Sequence, residues 1–126
     1  MNDAQDIYKL YKGVSRQSKP HKDRYGHIWW KLSDGRIHRE DGPAVEYNNG
    51  GKAWYLFNKP HRTDGYAIID LMYNDKSFYV MGTRYDDVMS WAKAAVQYEH
   101  HDAEYKPTQE EIDDKVAHVM QADFFD

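Results

Sequence analysis

The sequence contains the segment HREDGPAV at residues 38–45 and the segment HRTDGYAI at residues 61–68. Five of their eight positions are identical, at an offset of 23 residues. The flanks repeat at an offset of 24, which aligns Trp30 with Trp54 and Phe78, and Leu32 with Leu56 and Val80. Because self-similarity at a fixed period of this length marks a repeat architecture, it decides the fold before local propensities are weighed.

Each repeat unit also carries a turn signal. Gly35, Asn58 and Gly82 recur at corresponding positions, and Gly and Asn tolerate the positive φ of tight hairpin turns. Between the turns lie short pieces rich in β-branched and aromatic residues, which is typical of strands: AVEY, AWYLF, YAIIDLMY and SFYVMG. The pattern predicts an antiparallel sheet of tandem β-hairpin repeats over residues 28–85, in which neighbouring hairpins share one core.

The alternation of Trp/Tyr strands, a Gly or Asn turn and a Gly-containing corner resembles MORN-type repeats. The HR-x-DG-P-A signature is similar to a variant class found in small bacteriophage and bacterial proteins. The first segment matches that signature fully, and the second departs from it at Tyr66, where the pattern has proline. The resemblance covers residues 28–85. It implies a β-hairpin sheet with an interaction role, in the host cytoplasm if the protein is phage-encoded, and it implies no chemistry.

The two ends of the chain follow other patterns. Residues 1–27 predict a short helix and a basic loop, and residues 86–126 predict an acidic helical end. The first C-terminal helix has an apolar stripe at helical spacing, formed by Val88, Trp91, Ala92 and Ala95. The second starts at a capping box, Thr108 to Glu111, followed by Ile112, Val116, Val119 and Met120. The predicted fold is α+β: one domain of residues 1–126, with an antiparallel hairpin-repeat sheet followed by two C-terminal helices.

Composition narrows the class of protein. The chain has no cysteine, which excludes a disulfide framework, a thiolate metal site and a cysteine nucleophile. It contains no apolar run of membrane-spanning length and no signal-peptide pattern, so we expect a cytoplasmic protein that does not bind membranes. No glycine-rich phosphate loop, HExxH, GxSxG or EF-hand pattern occurs. We therefore expect a protein without catalytic activity or cofactors, with a small hydrolase as an open alternative.

Charge is distributed unevenly along the chain. Residues 1–85 hold 14 basic and 10 acidic residues, whereas residues 86–126 hold 3 basic and 11 acidic residues. The expected partner-binding residues are the acids of the second helix and one ring that alternation turns away from Trp30: Glu110, Glu111, Asp113, Asp114 and Trp29. The first hypothesis is thus a non-enzymatic protein-interaction module, phage-encoded by resemblance, that binds a host or defence-system protein.

The second hypothesis places the site in the repeats. His38, Arg39, His61 and Arg62 would form a row that binds a nucleotide or nucleic acid, with Trp29 stacking on a base. A structural interpretation of these four residues is also open: Asp-Gly is a turn signal, and each arginine could pair with a nearby aspartate.

The neighbouring pair His100 and His101 is interpreted as part of a polar linker between the helices. No metal site is expected there, because adjacent side chains on a helix point about 100° apart.

Overall fold

The computed structural model describes residues 17–122, so the short helix predicted near the N-terminus lies outside the described residues. The strands are β1 Lys19–Lys22, β2 Ile28–Lys31, β3 Val45–Glu46, β4 Lys52–Ala53, β5 Tyr55–Leu56, β6 Lys59–Pro60, β7 Ile68–Asp70, β8 Asp75–Val80 and β9 Thr83–Tyr85. Two helices follow, α1 Val88–Glu99 and α2 Gln109–Ala122. Seven strands form one antiparallel sheet in the order β1-β2-β3-β4-β7-β8-β9, and β5 and β6 form a separate ribbon. The predicted α+β class is confirmed.

The period of the sequence appears as repeated backbone hydrogen bonds. Trp30 donates its amide to Ala44 O at 2.8 Å, and Trp54 donates to Ala67 O at 2.7 Å. Each alanine then donates its own amide to the next strand of the sheet, Ala44 to Ala53 O in β4 and Ala67 to Ser77 O in β8. The hairpins are therefore joined through equivalent junctions, as the offset of 23 to 24 residues predicts.

The three predicted turn positions adopt the conformation that their residue types favour. Gly35, Asn58 and Gly82 have φ values of 91°, 65° and 84°. This left-handed region carries little steric penalty for glycine and is tolerated by asparagine. The recurrence of these residue types is thus explained by the backbone of the hairpins.

The rings of Trp30, Trp54 and Phe78 occupy equivalent positions on one face of the sheet, which we call the helix face. Alternation along each strand places them together, opposite to Trp29. Phe78 is buried, whereas Trp30 and Trp54 are half-buried. The predicted equivalence is confirmed, and full burial holds only for the ring that the helices cover.

The two helices cover the third repeat unit, which is the one that contains Phe78. Trp91, Ala92 and Ala95 of α1 are fully buried and pack with Phe78. Ile112 and Val119 of α2 complete the same core cluster. Met120, which was expected in the apolar series, is exposed, because it follows Val119 by one residue and so points about 100° away from the buried stripe. No helix in the described residues is long and apolar enough to cross a membrane.

The structure differs from the sequence analysis at residues 19–22. This segment was assigned to the basic loop, but it forms β1, which pairs with Ile28–Lys31 at the edge of the sheet. All four of its side chains are exposed, so the strand shows none of the apolar alternation from which a strand is predicted. Lysine and proline suit this place because they discourage further pairing at a sheet edge.

The capping box at the start of α2 is observed. Thr108 Oγ1 accepts a hydrogen bond from the Glu111 amide at 3.2 Å, and Glu111 Oε1 accepts one from the Thr108 amide at 3.0 Å. Replacing Thr108 with alanine should lower the free energy of unfolding by about 1 kcal/mol. Urea denaturation of Thr108→Ala and Thr108→Ser measures this. The serine variant keeps the hydroxyl oxygen, so its free energy of unfolding should fall much less. An equal fall in both variants would contradict the capping role.

Candidate protein interface

The His-Arg corner of the first repeat is a set of contacts within the chain. The guanidinium of Arg39 lies 3.8 Å from the centroid of the Trp30 ring. Its Nε donates to Asp41 Oδ1 at 2.9 Å, and its Nη1 donates to Pro43 O at 3.2 Å. A Cβ at Gly42 would lie only 3.0 Å from Arg39 Cζ. A side chain here would be tight against the guanidinium, which would have to shift by a few tenths of an ångström, and Gly42 does not adopt a positive φ.

The second corner reproduces this arrangement. The guanidinium of Arg62 lies 3.8 Å from the centroid of the Trp54 ring. Its Nε donates to Asp64 Oδ1 at 2.7 Å, and its Nη1 donates to Tyr66 O at 3.1 Å. Because both arginines are stacked and paired in the same way, the structural interpretation of the repeated arginines has direct support.

The two repeated histidines are buried and serve the backbone. His38 Nδ1 accepts a hydrogen bond from the Phe57 amide at 3.2 Å, and His61 Nδ1 accepts one from the Met81 amide at 2.9 Å. Burial lowers the pKa of His61 to about 4, and the negative charge of Asp64 opposes this only in part. His61, which accepts through Nδ1 and is neutral at pH 7, therefore contributes no positive charge to an anion site.

A cleft of about 520 Å³ lies between the two corners. Arg39, Trp54, Arg62 and Tyr98 are among the residues that line it. The structure thus brings the two repeated arginines to one cleft, as the second hypothesis required. However, each guanidinium lies against a tryptophan ring and beside an aspartate, so the cleft does not present unpaired positive charge.

The acidic residues of α2 separate into two groups. Glu110, Asp113 and Asp114 are exposed, although Asp113 Oδ1 also accepts from the Gln109 side chain at 2.8 Å. Glu111 accepts hydrogen bonds from the Thr108 amide, the Tyr105 hydroxyl and the His100 ring. These donors lower the pKa of Glu111 to about 2. Glu111 therefore holds the start of α2, and three of the four predicted acids remain available on the surface.

The linker before α2 is more ordered than the sequence analysis expected. The ring of His100 stacks on the ring of Tyr105 with centroids 3.6 Å apart, and its Nε2 lies 2.7 Å from Glu111 Oε2. His100 is thus exposed and at the same time part of a stacked and hydrogen-bonded network. Among residues 17–122, no group of three or more His, Cys, Asp or Glu side chains could hold a metal ion.

Trp29 is not the free exposed ring that alternation predicted. Its Nε1 donates to Asp23 Oδ2 at 3.0 Å, and its ring meets the ring of Tyr47 edge-on at 6.3 Å. The side chain is half-buried as a result. Trp29 therefore helps to fix the first hairpin turn, whose backbone is also held by Asp23 through the amides of Tyr25 and His27.

Exposed apolar side chains gather instead where three hairpins turn at one end of the sheet. We call this the tip surface: residues 23–27, 47–51 and 70–75. Leu71, Met72 and Tyr73 are 49%, 74% and 77% exposed, and Tyr25 is 60% exposed. The sequence pattern does not predict this surface, because the composition of residues 66–73 is that of one continuous strand.

The third turn of the tip surface is fixed by its own residues. Asp70 ends β7, and its Oδ1 accepts hydrogen bonds from the amides of Met72 and Tyr73 at 3.0 and 3.2 Å. Asn74 adopts a positive φ of 51°. Aspartate and asparagine commonly make such local turns, so the two polar residues around the apolar run were the signal that could have revealed the turn.

The tips are connected to one another and enclose a groove. The Asn48 amide donates to His27 Nδ1 at 3.0 Å, and the Asn48 side chain donates to Tyr25 O at 2.8 Å. A groove of about 320 Å³ lies between the second and third tips and is lined by Tyr47, Asp70, Met72 and other tip residues. The tip surface is thus an ordered surface with a concave centre.

Comparison with protein-family models, with curated proteins and with solved structures found no match to this chain. The geometry is that of a hairpin-repeat sheet covered by helices at its third unit, with a cluster of exposed apolar side chains at the hairpin tips.

Proposed function

We propose that this protein is a non-enzymatic interaction module that binds another protein through the tip surface. The observation that carries the proposal is the exposure of Leu71, Met72 and Tyr73 together on one ordered turn. Clustered apolar side chains on a surface mark sites of interaction, whereas single ones do not. Because hydrogen bonds already fix the turn, a partner would not have to order it on binding.

The composition of the tip surface supports a protein partner. The tips carry Tyr25, Tyr47 and Tyr73 beside Asn48, Asn49 and Gly50. Tyrosine gives a large, rigid and amphipathic contact area, and asparagine and glycine give adaptable polar contacts. This combination is the one that loop surfaces use when they recognise proteins.

The acidic side chains of α2 add a second feature to the proposal. Glu110, Asp113 and Asp114 would attract a basic partner and speed its approach, an effect that weakens as salt increases. The resemblance to repeats of bacteriophage proteins favours a host or defence-system protein as that partner. The alternative, a nucleotide or nucleic-acid ligand on the His-Arg row, has less support because Arg39 and Arg62 are stacked and paired.

The double variant Met72→Ser, Tyr73→Ser should reduce partner capture about tenfold or more, since exposed side chains at the centre of an interface dominate its energy. Its free energy of unfolding should stay within about 0.5 kcal/mol of the parent, because neither side chain is buried. Capture from bacterial lysate, quantified by mass spectrometry, and urea denaturation measure the two effects.

The matched control is Met89→Ser, which changes an exposed methionine on α1, away from the tips. Recovery of the same proteins at the same yield by the double variant would refute the proposed site. Retention of oligonucleotides that depends on Arg39 and Arg62, with no dependence on the tips, would favour the alternative.

A further inference from the structure

We infer that the groove of the tip surface receives an arginine side chain of the partner, with Asp70 as its anionic contact and the rings of Tyr47 and Tyr73 beside it. This inference rests on the proposed function of the tip surface and adds the chemistry of the partner.

The third tip carries negative charge that is not paired within the described residues, whereas Arg24 lies on the first tip against the ring of Tyr25. Asp70 and Asp75 lie directly opposite each other in the register of β7 and β8, and like charges in that position destabilise a sheet. The next register position along these strands holds two lysines, Lys52 and Lys76. Each lies two residues before an aromatic residue of the helix face, Trp54 or Phe78, and therefore points to that same face. Within residues 17–122, neither carboxylate forms an ion pair with a basic side chain.

The carboxylate of Asp70 also keeps one oxygen available. The amides of Met72 and Tyr73 both donate to Oδ1. In the described part of the chain Oδ2 has no hydrogen-bond donor, and the residue lines the groove while remaining half-buried. A donor that approaches from outside would therefore meet a fixed, charged acceptor.

The rings around this carboxylate suit a guanidinium. Tyr47 and Tyr73 both line the groove with Asp70, and the charge of Asp70 adds to burial in raising the pKa of Tyr47. A guanidinium is planar, stacks on aromatic rings and gives directional hydrogen bonds to carboxylates, whereas an ammonium group is more strongly hydrated. Arginine thus fits this environment better than lysine.

The chain itself shows that this combination is stable. Arg39 lies over Trp30 and pairs with Asp41, and Arg62 repeats the arrangement within the second unit. The groove presents an aspartate beside aromatic rings without the arginine. A volume of about 320 Å³ is at the small end of ligand-binding pockets, which suits one long side chain with an apolar neighbour.

The test starts from a display library of random short peptides selected against the full chain. The recovered peptides should share an arginine, and the most enriched one is then synthesised with arginine or with its neutral analogue citrulline. Citrulline should raise the dissociation constant about tenfold, because it removes a charge-assisted contact. Amide shifts in NMR spectra should place the arginine peptide at Met72 and Tyr73.

The protein variant Asp70→Asn sharpens the test, since asparagine keeps the Oδ1 acceptor of the turn, removes the charge and replaces the Oδ2 acceptor with an amide nitrogen that donates. It should lower the affinity for the arginine peptide about tenfold and leave the affinity for the citrulline peptide unchanged. The difference between the two effects is the coupling that a double-mutant cycle measures. Asp114→Asn, an exposed acid on α2, should change neither affinity, which controls for net charge.

The outcomes separate this inference from the proposed function. Peptides that lose binding with Met72→Ser but show no arginine preference, and bind Asp70→Asn equally well, would overturn the inference and leave the function standing. Peptides whose binding is independent of Met72 and Tyr73 would overturn both. Displacement of the arginine peptide from the groove by an oligonucleotide would also overturn the inference.

Discussion

Replacing Trp91 with alanine should lower the free energy of unfolding by about 3 to 5 kcal/mol, the range for deleting a fully buried aromatic side chain. The Trp91 ring is completely inaccessible and stacks on Phe78 with centroids 4.7 Å apart, while Phe78 stacks on Tyr66 at 4.3 Å. The Nε1 of Trp91 also donates a hydrogen bond to the backbone oxygen of Arg62 at 3.1 Å. The substitution thus removes a ring from the centre of the core and a bond that joins α1 to the second corner.

Urea denaturation followed by circular dichroism measures this loss, and two further variants divide it. Trp91→Phe keeps most of the stacking and removes the hydrogen bond that Nε1 donates to Arg62 O, so it should cost about 1 to 3 kcal/mol. Met89→Ala changes an exposed side chain of the same helix and should cost less than about 0.5 kcal/mol. A Trp91→Ala variant as stable as Met89→Ala would show that the helices do not cover the repeat as described.

Acidification should destabilise the protein by about 3 kcal/mol between pH 6.5 and pH 4, because of His61. Its pKa falls from an ordinary value of 6.5 to about 4 on folding, so in this window the unfolded chain binds a proton that the folded chain does not. The contribution of neutral His61 is fully present above pH 6.5 and is lost as the pH falls towards 4. Protonation would place a hydrogen on Nδ1, where the Met81 amide donates.

Urea denaturation at intervals across this window measures the slope, and His61→Asn is the matched control. Asparagine offers an acceptor oxygen in place of Nδ1 but does not titrate, so the variant should be less stable at pH 7 and show a flatter pH dependence. The pKa of Glu111 falls from 4.5 to about 2 on folding, so its contribution is lost mainly below pH 4.5 and overlaps only the acid end of this window. An unchanged slope in the asparagine variant would show that another group is responsible.

The parts of the fold that sequence reasoning predicted are those in which residue type and backbone geometry are directly coupled. The repeat period predicted the hairpins because the same backbone junctions recur, at Ala44 and again at Ala67. Gly35, Asn58 and Gly82 predicted turns because a positive φ restricts the choice of residue. Thr108 predicted the start of α2 because a capping box needs its two side chains three residues apart.

The parts that sequence reasoning did not predict depend on contacts between distant residues or on exposed positions. Nothing in the linker sequence indicates that His100 stacks on Tyr105 and turns towards Glu111. Strand β1 was missed because an edge strand with four exposed side chains has no apolar pattern. The tip surface was missed because Leu71, Met72 and Tyr73 continue the apolar composition of β7 past its end, and apolar residues are normally read as core.

The aromatic ring of the third repeat unit is covered by a helix, whereas the rings of the first two units are covered by arginines. This difference determines where the repeat can be extended. Trp30 and Trp54 each have a guanidinium over the ring, whereas Phe78 has Trp91. Duplication of a segment of 23 or 24 residues upstream of the helices would recreate the same junctions on both of its sides. It would also add one more loop to the row of tips. Gene duplication alone could therefore increase the number of binding loops in the row of tips, while the helical end stays the same.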